Sequence, residues 1–479
     1  MNKIMAQDKT FDFTMPTMIV GMGRTGLSCA RYLAKRACPF AIADSRLEPP
    51  SLEEAKKEFA QANIVTGELD IIEFRKYRQF IVSPGISTRT SLFKELKEQD
   101  CLIIGDIELF AQVVDKPVIA ITGSNGKSTV TTLVEKIAND CGVKAIAGGN
   151  LGTPVLDLLE TRSELYILEL SSFQLETTYS LHTLSATVLN VSEDHMDRYT
   201  GLQDYRRVKE SIYRNCDNKI INKDEQSTLD SICVVGDNKD QACSFILFGS
   251  DEPGENEYGL LKVNHLYILK KGMHTIIQSN EVKLKGTYNY LNILAALALL
   301  QPLQLDENLQ ITALKEYNGL AHRCEWVDKI AGVQYYNDSK GTNVGATMAA
   351  INAFDSSDSV NSVANSTTIL IAGGVGKDAD FSELGEVIVN KIKATVLLGI
   401  DSDSIKSSAL KAGARNDSLY TVSSMQEAVL TANKLAEAGD VVLFSPASAS
   451  FDQYQNYMKR GDDFKEKVLL LKEQLKNVS

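Results

Sequence analysis

The sequence predicts an α/β protein with three domains, each built on a largely parallel β-sheet. Its 479 residues allow roughly three domains at about 150 residues each. Short apolar runs alternate with helical patterns, as in TMIV (17–20), LSCARYLAKR (27–36) and FAIAD (40–44), which is typical of parallel sheets covered by helices. Polar segments that contain glycine follow several of these runs, at the strand ends where α/β proteins bind ligands.

The first domain carries a glycine-rich turn after its first predicted strand. Gly21, Gly23 and Gly26 form a G-x-G-x-x-G pattern, Asp44 ends the second strand, and FIVSPGI (80–86) supplies a third. This is the dinucleotide fingerprint, in which a helix N-terminus faces a diphosphate. From the residues alone its ligand is NAD, FAD or another nucleotide diphosphate, and a plain tight turn is the alternative.

A second glycine-rich loop follows the predicted strand KPVIAITG (116–123). The segment ITGSNGKST (121–129) resembles a Walker A loop but has Ile121 where that pattern has its first glycine. Gly123 and Gly126 permit close backbone approach, Lys127 can neutralise phosphate oxygens, and the helix STVTTLVEKIAND (128–140) follows. The loop therefore predicts a nucleoside triphosphate site, with a capped glycine turn as the alternative.

Three further side chains of this domain are candidates for chemistry. Glu169 ends the apolar strand LYILEL (165–170), where a carboxylate beside a phosphate loop typically holds Mg²⁺. His195 follows the strand ATVLNV (186–191) and is a candidate metal ligand or an ordinary loop residue. Lys209 lies in a helical pattern and reads as part of a solvated helix face. HLYILKKGMHTIIQ (265–278) predicts a hairpin inside an insertion over about 220–285, and YNYLNILAALALL (288–300) predicts an apolar helix.

The third domain repeats the pattern of strands followed by polar loops. GVQYYND (332–338), TTILIAGG (367–374), TVLLG (395–399) and DVVLFSP (440–446) are its predicted strands. The segments 338–342, 373–377 and 445–450 follow three of them, and two of these segments contain a lysine. They predict a ligand site, with simple turn chemistry as the alternative. The serine-rich stretch 355–367 predicts a loop.

Composition narrows the class of protein. The net charge of −12 argues against nucleic acid or an anionic membrane surface as a partner. The eight cysteines form no CxxC pair, so we expect reduced, packed thiols without a zinc site. The N-terminal residues lack an apolar signal segment, and the longest apolar run is too short to span a bilayer. We therefore expect a cytoplasmic protein without membrane insertion.

Taken together, the motifs resemble those of the Mur ligases over nearly the whole chain. TGSNGKST, GGNLGTP, LELSSFQLE, LNVSEDHMDRY, YNYLN, HRCEW, NDSKGTN, AGGVGK and SPASASFDQY occur in one order. The resemblance implies a monomeric, ATP-dependent ligase that forms a peptide bond through an acyl phosphate, with UDP-MurNAc-L-Ala and D-glutamate as substrates. It also implies a Rossmann-like UDP-binding domain (1–106), a central P-loop ATPase-type domain (107–321) and a Rossmann-like amino-acid-binding domain (322–479).

The resemblance assigns roles at the ATP and metal sites. Two Mg²⁺ ions are implied, with Lys209 carried as a carbamate (N6-carboxylysine). The implied metal ligands are Ser128, Glu169, His195 and Lys209. The implied catalytic residues are Lys127, Lys209, His195, Arg323 and Lys340. The implied ATP-binding residues are Gly123, Ser124, Asn125, Gly126, Lys127, Ser128, Thr129, Asn289, Asn292, Arg323, Asp338 and Lys340.

The resemblance also assigns the two substrate sites. The implied UDP-substrate residues are Gly23, Arg24, Thr25, Gly26, Asp44, Ser45, Arg46, Ser83, Pro84, Gly85 and Asn150. The implied D-glutamate residues are Thr342, Lys377, Ser450, Phe451 and Tyr457. One departure is Tyr288, which stands where the family usually has His, and from it we expect altered adenine packing with activity retained.

Several alternatives stay open at this stage. An L-alanine-adding Mur ligase is the nearest, although SPASASFDQY and the SPG loop favour the D-glutamate adder. The folylpolyglutamate synthetases lack the UDP-type first domain, and the diaminopimelate-adding ligase carries a DNPR motif that is absent here. A nicotinamide-dependent oxidoreductase would not need a triphosphate loop, and a non-catalytic nucleotide switch would not need the lysine-bearing loops of the third domain.

Overall fold

Three β-sheets with helices on their faces organise the chain, as the sequence predicts. The computed structural model describes residues 10–192, 198–225, 244–264, 266–354, 368–375 and 379–476. The chain forms two compact units. The first contains residues 1–259, 271–273 and 292–310, and the second contains residues 260–270, 274–291 and 311–479.

The first sheet has five parallel strands in the order β3-β2-β1-β4-β5. The strand order reverses between β1 and β4, so the loops after these two strands diverge and leave a crevice at their carboxyl ends. Its elements are β1 Thr17–Val20, α1 Arg24–Lys35, β2 Phe40–Asp44, α2 Leu52–Glu58, β3 Asn63–Thr66, α3 Ile71–Phe74, β4 Gln79–Val82, α4 Ser91–Glu98, β5 Leu102–Ile104 and α5 Asp106–Ala111.

The second sheet is also parallel through its central strands. Here β6 lies between β9 and β8, β7 borders β8, and β10 and β11 follow β9 on the other side. Its elements are β6 Val118–Thr122, α6 Lys127–Asp140, β7 Ala145–Gly149, α7 Val155–Leu158, β8 Leu165–Glu169, α8 Ser172–Leu175, β9 Thr183–Val188, α9 Leu202–Glu210, β10 Cys216–Asn222, β11 Ser244–Phe248 and β12 Tyr258–Val263.

Two strands and two helices complete this part of the sequence: β13 Leu266–Lys271, β14 His274–Gln278, α10 Thr287–Leu300 and α11 Glu307–Glu316. The predicted hairpin is confirmed, because the Ser279 amide donates to the Tyr267 carbonyl (2.8 Å) at the base of β13 and β14. In α10, residues 293–300 are all buried, as expected for a helix that is apolar on every side. Among the described residues, no helix is both long enough and apolar enough to cross a membrane.

The first two sheets share one hydrophobic core, which fixes their loops relative to each other. Phe110 of α5 packs edge-on against Tyr166 of β8, with ring centroids 5.3 Å apart. Glu108 of α5 accepts hydrogen bonds from the amides of Tyr179 (2.6 Å) and Ser180 (2.9 Å). These contacts pack the first two sheets against each other within the first unit.

The third sheet has six strands in the order β15-β16-β20-β17-β18-β19. Only β15 is antiparallel, since it forms a hairpin with β16, so the sheet is mixed. Its elements are β15 Glu325–Ile330, β16 Val333–Asn337, α12 Val344–Phe354, β17 Thr368–Ala372, α13 Ser382–Lys391, β18 Ala394–Leu397, α14 Ser402–Lys411, β19 Leu419–Thr421, α15 Met425–Leu435, β20 Val441–Phe444 and α16 Tyr457–Lys476.

Most predicted strands are confirmed with the same or shorter bounds, and the strand predicted over 186–191 is displaced the most. The strand predicted over 186–191 begins and ends three residues earlier, because Leu189 to Val191 leave the sheet to reach the loop after β6. The third strand of the first sheet ends at Val82, so the SPG segment is a loop. Cys29, Cys38, Cys101 and Cys216 are buried free thiols, as predicted. Cys233, Cys243 and the serine-rich segment 355–367 lie outside the described residues.

Candidate active site

The loop after β6 (residues 123–126) is held from the side by the chain that follows β9. The Ser124 amide donates to the Asn190 carbonyl (2.9 Å), and the Asn125 amide donates to Asn190 Oδ1 (2.8 Å). Gly126 has φ +82°, a left-handed conformation that suits glycine. Helix α6 begins at Lys127, so its free amides and dipole face the loop. This is the geometry of an anion site.

Two lysines converge on this loop. Lys127 Nζ donates to the carbonyls of Gly123 (2.8 Å) and Ser124 (3.0 Å). Lys209 Nζ donates to the same Gly123 carbonyl (2.9 Å) and lies over the Tyr205 ring, 4.6 Å from its centroid. Because both ammonium groups share one carbonyl, they lie close together and create a strongly positive region where a phosphate would bind.

Lys209 corrects the interpretation made from its helical pattern alone. The sequence suggested a solvated helix face, but the residue is 1% exposed and belongs to the largest fully buried side chains. The face of α9 that carries it packs towards the loop after β6. A buried ammonium group loses most of its hydration, so such a lysine requires a specific partner or a chemical role.

Glu169 lies at the end of β8, directly beside Ile121 of β6. It is 2% exposed, and its Oε1 accepts a hydrogen bond from Asn150 Nδ2 (2.6 Å). Among the residues that the structure describes, no donor reaches its Oε2, although that atom is buried. A buried carboxylate oxygen that accepts no hydrogen bond is suited to bind a cation. The Ser128 hydroxyl, in the first turn of α6, is an oxygen ligand of the kind that Mg²⁺ binds. Asn292 also belongs here, since a Cβ at Gly126 would meet its Oδ1.

The candidate metal ligands of the described residues do not form a dense cluster. Within the described ranges, no group of three His, Cys, Asp or Glu side chains lies close enough to hold a metal ion. His195, the predicted ligand of a second ion, lies outside the described residues, as do its neighbours 193–197. The candidate metal ligands that lie within the described residues are therefore Ser128, Glu169 and Lys209.

A cavity of about 450 Å³ opens at the carboxyl edge of the first sheet. It lies at the strand-order reversal between β1 and β4, where open α/β sheets bind ligands. The predicted residues of this site line the cavity, with two exceptions. Gly26 does not reach its surface, and Asn150 forms a hydrogen bond with Glu169. The lining residues are Gly21, Gly23, Arg24, Thr25, Asp44, Ser45, Arg46, Ser83, Pro84, Gly85 and Ile86.

Asp44 is fully engaged at the wall of this cavity. Its carboxylate accepts from the Met22 amide (2.7 Å) and from Arg46 Nε (2.8 Å) and Nη2 (2.7 Å). Burial raises the pKa of Asp44, but the hydrogen bonds from Arg46 and Met22 outweigh it and bring the pKa to about 2. Arg46 therefore stays beside a permanent anion, with its guanidinium half-exposed at the cavity rim.

Gly26 and Gly23 give a matched pair of stability predictions. A Cβ on Gly26 would meet the Gly21 carbonyl oxygen closer than 3.0 Å, whereas a Cβ on Gly23 meets nothing within 4 Å. We expect Gly26→Ala to lower the free energy of unfolding by about 1–3 kcal/mol through overpacking. Gly23→Ala should leave it within about 0.5 kcal/mol. Urea unfolding of both variants checks this, and equal stability of the two would contradict the close packing of α1 on β1.

A second cavity, of about 270 Å³, lies at the carboxyl edge of the third sheet. It contains four predicted residues: Thr342, Ser450, Tyr457 and Phe451, whose ring is 66% exposed. Val375, Ala449 and Asn456 complete its lining. Lys377, the predicted partner of a ligand carboxylate, lies outside the described residues.

The remaining predicted residues of the third domain surround Asp338. Its Oδ2 accepts from Ser445 Oγ (2.7 Å) and its Oδ1 accepts from the Cys324 amide (3.1 Å). Burial raises the pKa of the Asp338 carboxyl to about 6, although these hydrogen bonds act to lower it. The positive charge of Arg323 acts on the same carboxyl, and the Lys340 ammonium lies 5.3 Å from the centre of the Tyr457 ring.

The first turn of α10 contains Tyr288 and Asn289, which the family resemblance places near adenine. Asn289 is buried, and its Nδ2 donates to the Lys285 carbonyl (2.8 Å). Tyr288 is 46% exposed, so its ring faces solvent at this end of the helix. Altered adenine packing at Tyr288 stays a prediction.

Sequence reasoning missed two polar residues, one that lines the third-sheet cavity and one that holds the loops beside it. Asn456 lines it. Arg460 is 2% exposed and donates to the carbonyls of Ser339 (2.9 Å), Ser448 (3.0 Å) and Ala449 (3.1 Å), which brings the loops after β16 and β20 together. Burial lowers the pKa of Arg460 to about 10. The segment MKRGDDF reads as a solvated helix start, so no local signal distinguished this arginine.

Known protein-family models match the chain along most of its length. Models of three Mur ligase domains match the chain in order: the MurD-like N-terminal domain over residues 15–105, the middle domain over 121–300 and the glutamate ligase domain over 322–448. The chain belongs to the Mur ligase family.

Individual relatives narrow the comparison further. The chain is 43% identical over 453 residues to the UDP-N-acetylmuramoylalanine–D-glutamate ligase of Nitrosococcus oceani, covering 94% of this chain and 96% of that protein. It is 43% identical over 449 residues to the enzyme of the same name from Marinobacter nauticus, covering 94% and 97%.

Solved structures agree at the level of the fold. The UDP-N-acetylmuramate–alanine ligase of Thermotoga maritima aligns with a TM-score of 0.53 at 17% identity, covering 96% of this chain and 100% of that one. A Mur ligase from Acinetobacter baumannii aligns with a TM-score of 0.54 at 18% identity, covering 76% and 82%.

Proposed function

We propose that this chain is an ATP-dependent ligase that adds D-glutamate to UDP-N-acetylmuramoyl-L-alanine during peptidoglycan precursor synthesis. The observation that carries the reaction class is the convergence of Lys127 and Lys209 on the Gly123 carbonyl, close to a strand end that bears the buried Glu169. The choice of substrates follows the names of the relatives that match along nearly the full chain.

The first step joins two anions, so positive charge is its main requirement. The carboxylate of UDP-N-acetylmuramoyl-L-alanine attacks the γ-phosphorus of ATP, the bond to the β–γ bridging oxygen breaks, and ADP leaves. Lys127 holds the β- and γ-phosphate oxygens, while the amides of residues 123–129 cradle them at the start of α6. The chain thus screens the repulsion between the carboxylate and the γ-phosphate.

The second step forms the amide. The amine of D-glutamate attacks the acyl carbon of the acyl phosphate, loses a proton, and inorganic phosphate leaves. D-glutamate would be held by Thr342, Lys377, Ser450, Phe451 and Tyr457. Among them, Lys377 would pair with a carboxylate of the ligand. ATP would be held through its adenosine and phosphate groups by Asn289, Asn292, Arg323, Asp338 and Lys340.

Mg²⁺ fits the donors of the first unit. Ser128 and Glu169 would hold one ion, and His195 with a carbamylated Lys209 would hold a second. When bound, the ions supply charge that neutralises the transferring phosphoryl group. Asn150 donates to Glu169 Oε1, which would leave Oε2 available to the ion.

The cavity of the first sheet would hold the UDP group of the sugar substrate. Arg24, Arg46 and the N-terminus of α1 supply positive charge for its diphosphate. We further propose domain boundaries at 1–106, 107–321 and 322–479, a monomeric state and a cytoplasmic location.

A phosphate-release assay tests the function. The protein is incubated with ATP, Mg²⁺ and UDP-N-acetylmuramoyl-L-alanine, and D-glutamate, L-glutamate, L-alanine or diaminopimelate is added. We expect release only with D-glutamate, with one amide product formed per phosphate. Release with L-alanine or diaminopimelate in place of D-glutamate would assign the chain to another member of the family.

A further inference from the structure

A buried carboxylate lies between two arginines at the junction of the first two sheets. Glu176, just after α8, is 5% exposed on its side chain. Its Oε1 accepts from Arg89 Nε (3.1 Å), and its Oε2 accepts from Arg198 Nη2 (2.5 Å). A buried charge network of this kind is costly unless each member is paired, so its geometry is narrowly defined.

Arg198 extends this network to the cavity of the first sheet. Its Nη1 donates to the Pro84 carbonyl (3.0 Å) and its Nη2 to the Ile86 carbonyl (3.5 Å). Pro84 and Ile86 both line the cavity. The guanidinium also stacks on Phe173, 4.0 Å from the ring centroid. Its plane is thus fixed by Glu176 and the ring, and its donors hold the cavity loop from behind.

Arg89 connects the same carboxylate to α9. Its Nη1 donates to Asp204 Oδ2 (2.5 Å) and its Nη2 to Oδ1 (3.3 Å). Asp204 lies in the first turn of α9, the helix that carries Lys209. The hydrogen bond from Arg89 lowers the pKa of Asp204, so the pair remains ionised at neutral pH. Helix α9 therefore anchors the network at its Arg89 end.

We propose that Arg89, Glu176, Arg198 and Asp204, here called the arginine clamp, position the cavity loop 83–86 for a nucleoside diphosphate group. None of the four lines the cavity, so they are positioning residues that act through the Pro84 and Ile86 carbonyls. The inference rests on the proposed function, because it assumes that the cavity binds UDP. A preorganised loop binds its ligand without an ordering cost, and a loosened loop binds it more weakly.

Glu176→Gln is the most direct test, because it keeps the shape of the side chain and removes its charge. We expect the dissociation constant for UDP, measured by calorimetry, to rise about tenfold, while that for ADP stays within about twofold. In the ligase assay, the KM for the UDP-sugar substrate should rise and the KM for ATP should not. Unchanged UDP affinity overturns the inference, and so does an equal loss of UDP and ADP affinity.

A matched control removes a carboxylate from another arginine of the same unit. Arg31 pairs with Glu54 (2.6 Å) and Glu58 (2.8 Å) away from the cavity lining. Glu54→Gln should leave the UDP affinity unchanged. If the wild-type protein binds no UDP, the proposed substrate fails and this inference fails with it. That result differs from one in which the wild-type protein binds UDP and Glu176→Gln binds it equally well, which overturns only the role of the clamp.

Arg198→Lys keeps the inference testable if Glu176→Gln does not fold. Lysine keeps the charge but cannot hold both carbonyls and the ring at once. We expect it to weaken UDP binding in the same direction, as should Arg89→Lys on the more exposed side of the clamp. Loss of folding in all three variants, seen as loss of the far-ultraviolet circular dichroism signal, overturns the inference, since the clamp would then support the fold and not the loop.

Discussion

Lys127→Ala is expected to remove nearly all ligase activity, by about 10³-fold or more in kcat. The substitution deletes the ammonium group that lies across the Gly123 and Ser124 carbonyls, at the place where phosphate oxygens would bind. Removal of a single preorganised donor to a developing anion typically lowers kcat by about 10²–10³-fold, and this donor also carries a full charge. Phosphate release at saturating substrates measures the effect.

The same variant should fold normally. The two ammonium groups that share the Gly123 carbonyl repel each other, so removal of one offsets part of the loss of its hydrogen bonds, and the melting temperature should change little. Lys136→Ala is the control, because Lys136 lies on the same helix and pairs with Asp140 at the surface (2.7 Å). It should retain full activity. More than about one-tenth of wild-type activity in Lys127→Ala would contradict the role of Lys127.

The loops of this site were predictable because their chemistry is local. Glycine at 126 reports a left-handed turn, and Lys127 and Ser128 follow it at the start of a helix. The same holds for Gly21 and Asp44 around the first cavity. In each case, a strand, a turn and a helix lie consecutively along the chain, so a short sequence window contains the whole geometry.

Residues that act from a distance were not predictable in this way. In the segment LQDYRRVKE, polar side chains occupy most positions, and no periodicity shows that Lys209 is the one that reaches the Gly123 carbonyl. Glu176 and Arg198 are separated from Arg89 by about 90 and 110 residues, so their pairing depends on how two sheets pack. Resemblance to a family identified Lys209 because it carries tertiary information that the local pattern lacks.

Lys209→Ala is expected to lose nearly all activity for a different reason. We propose that Lys209 functions as a carbamate, in which CO₂ adds to the neutral amine with loss of a proton. A carbamate converts the group from a cation to an anion, which gives Mg²⁺ an oxygen ligand and ends the repulsion with Lys127. Its remaining N–H can still donate to the Gly123 carbonyl that Lys209 contacts now.

Chemical rescue separates this proposal from a simple loss of packing. Lys209→Ala leaves a buried space in which acetate or propionate can supply the missing carboxylate oxygens. We expect these acids to restore measurable activity to Lys209→Ala and none to Lys127→Ala, whose missing group is a cation. Failure of every short acid tested, or equal rescue of both variants, would contradict the carbamate.

A direct observation completes the test without relying on turnover. Wild-type protein incubated with ¹³C-bicarbonate should show a carbamate carbon signal in its NMR spectrum, and Lys209→Ala should not. Addition of Mg²⁺ should stabilise that signal, because the metal binds only the carbamylated form at this side chain. Lys219→Ala provides the control, since Lys219 is a lysine of β10 that lies over the Phe245 ring and not at the loop after β6. Persistence of the signal in Lys209→Ala would place the modification on another residue. Lys209 of the wild-type protein would then be a buried cation.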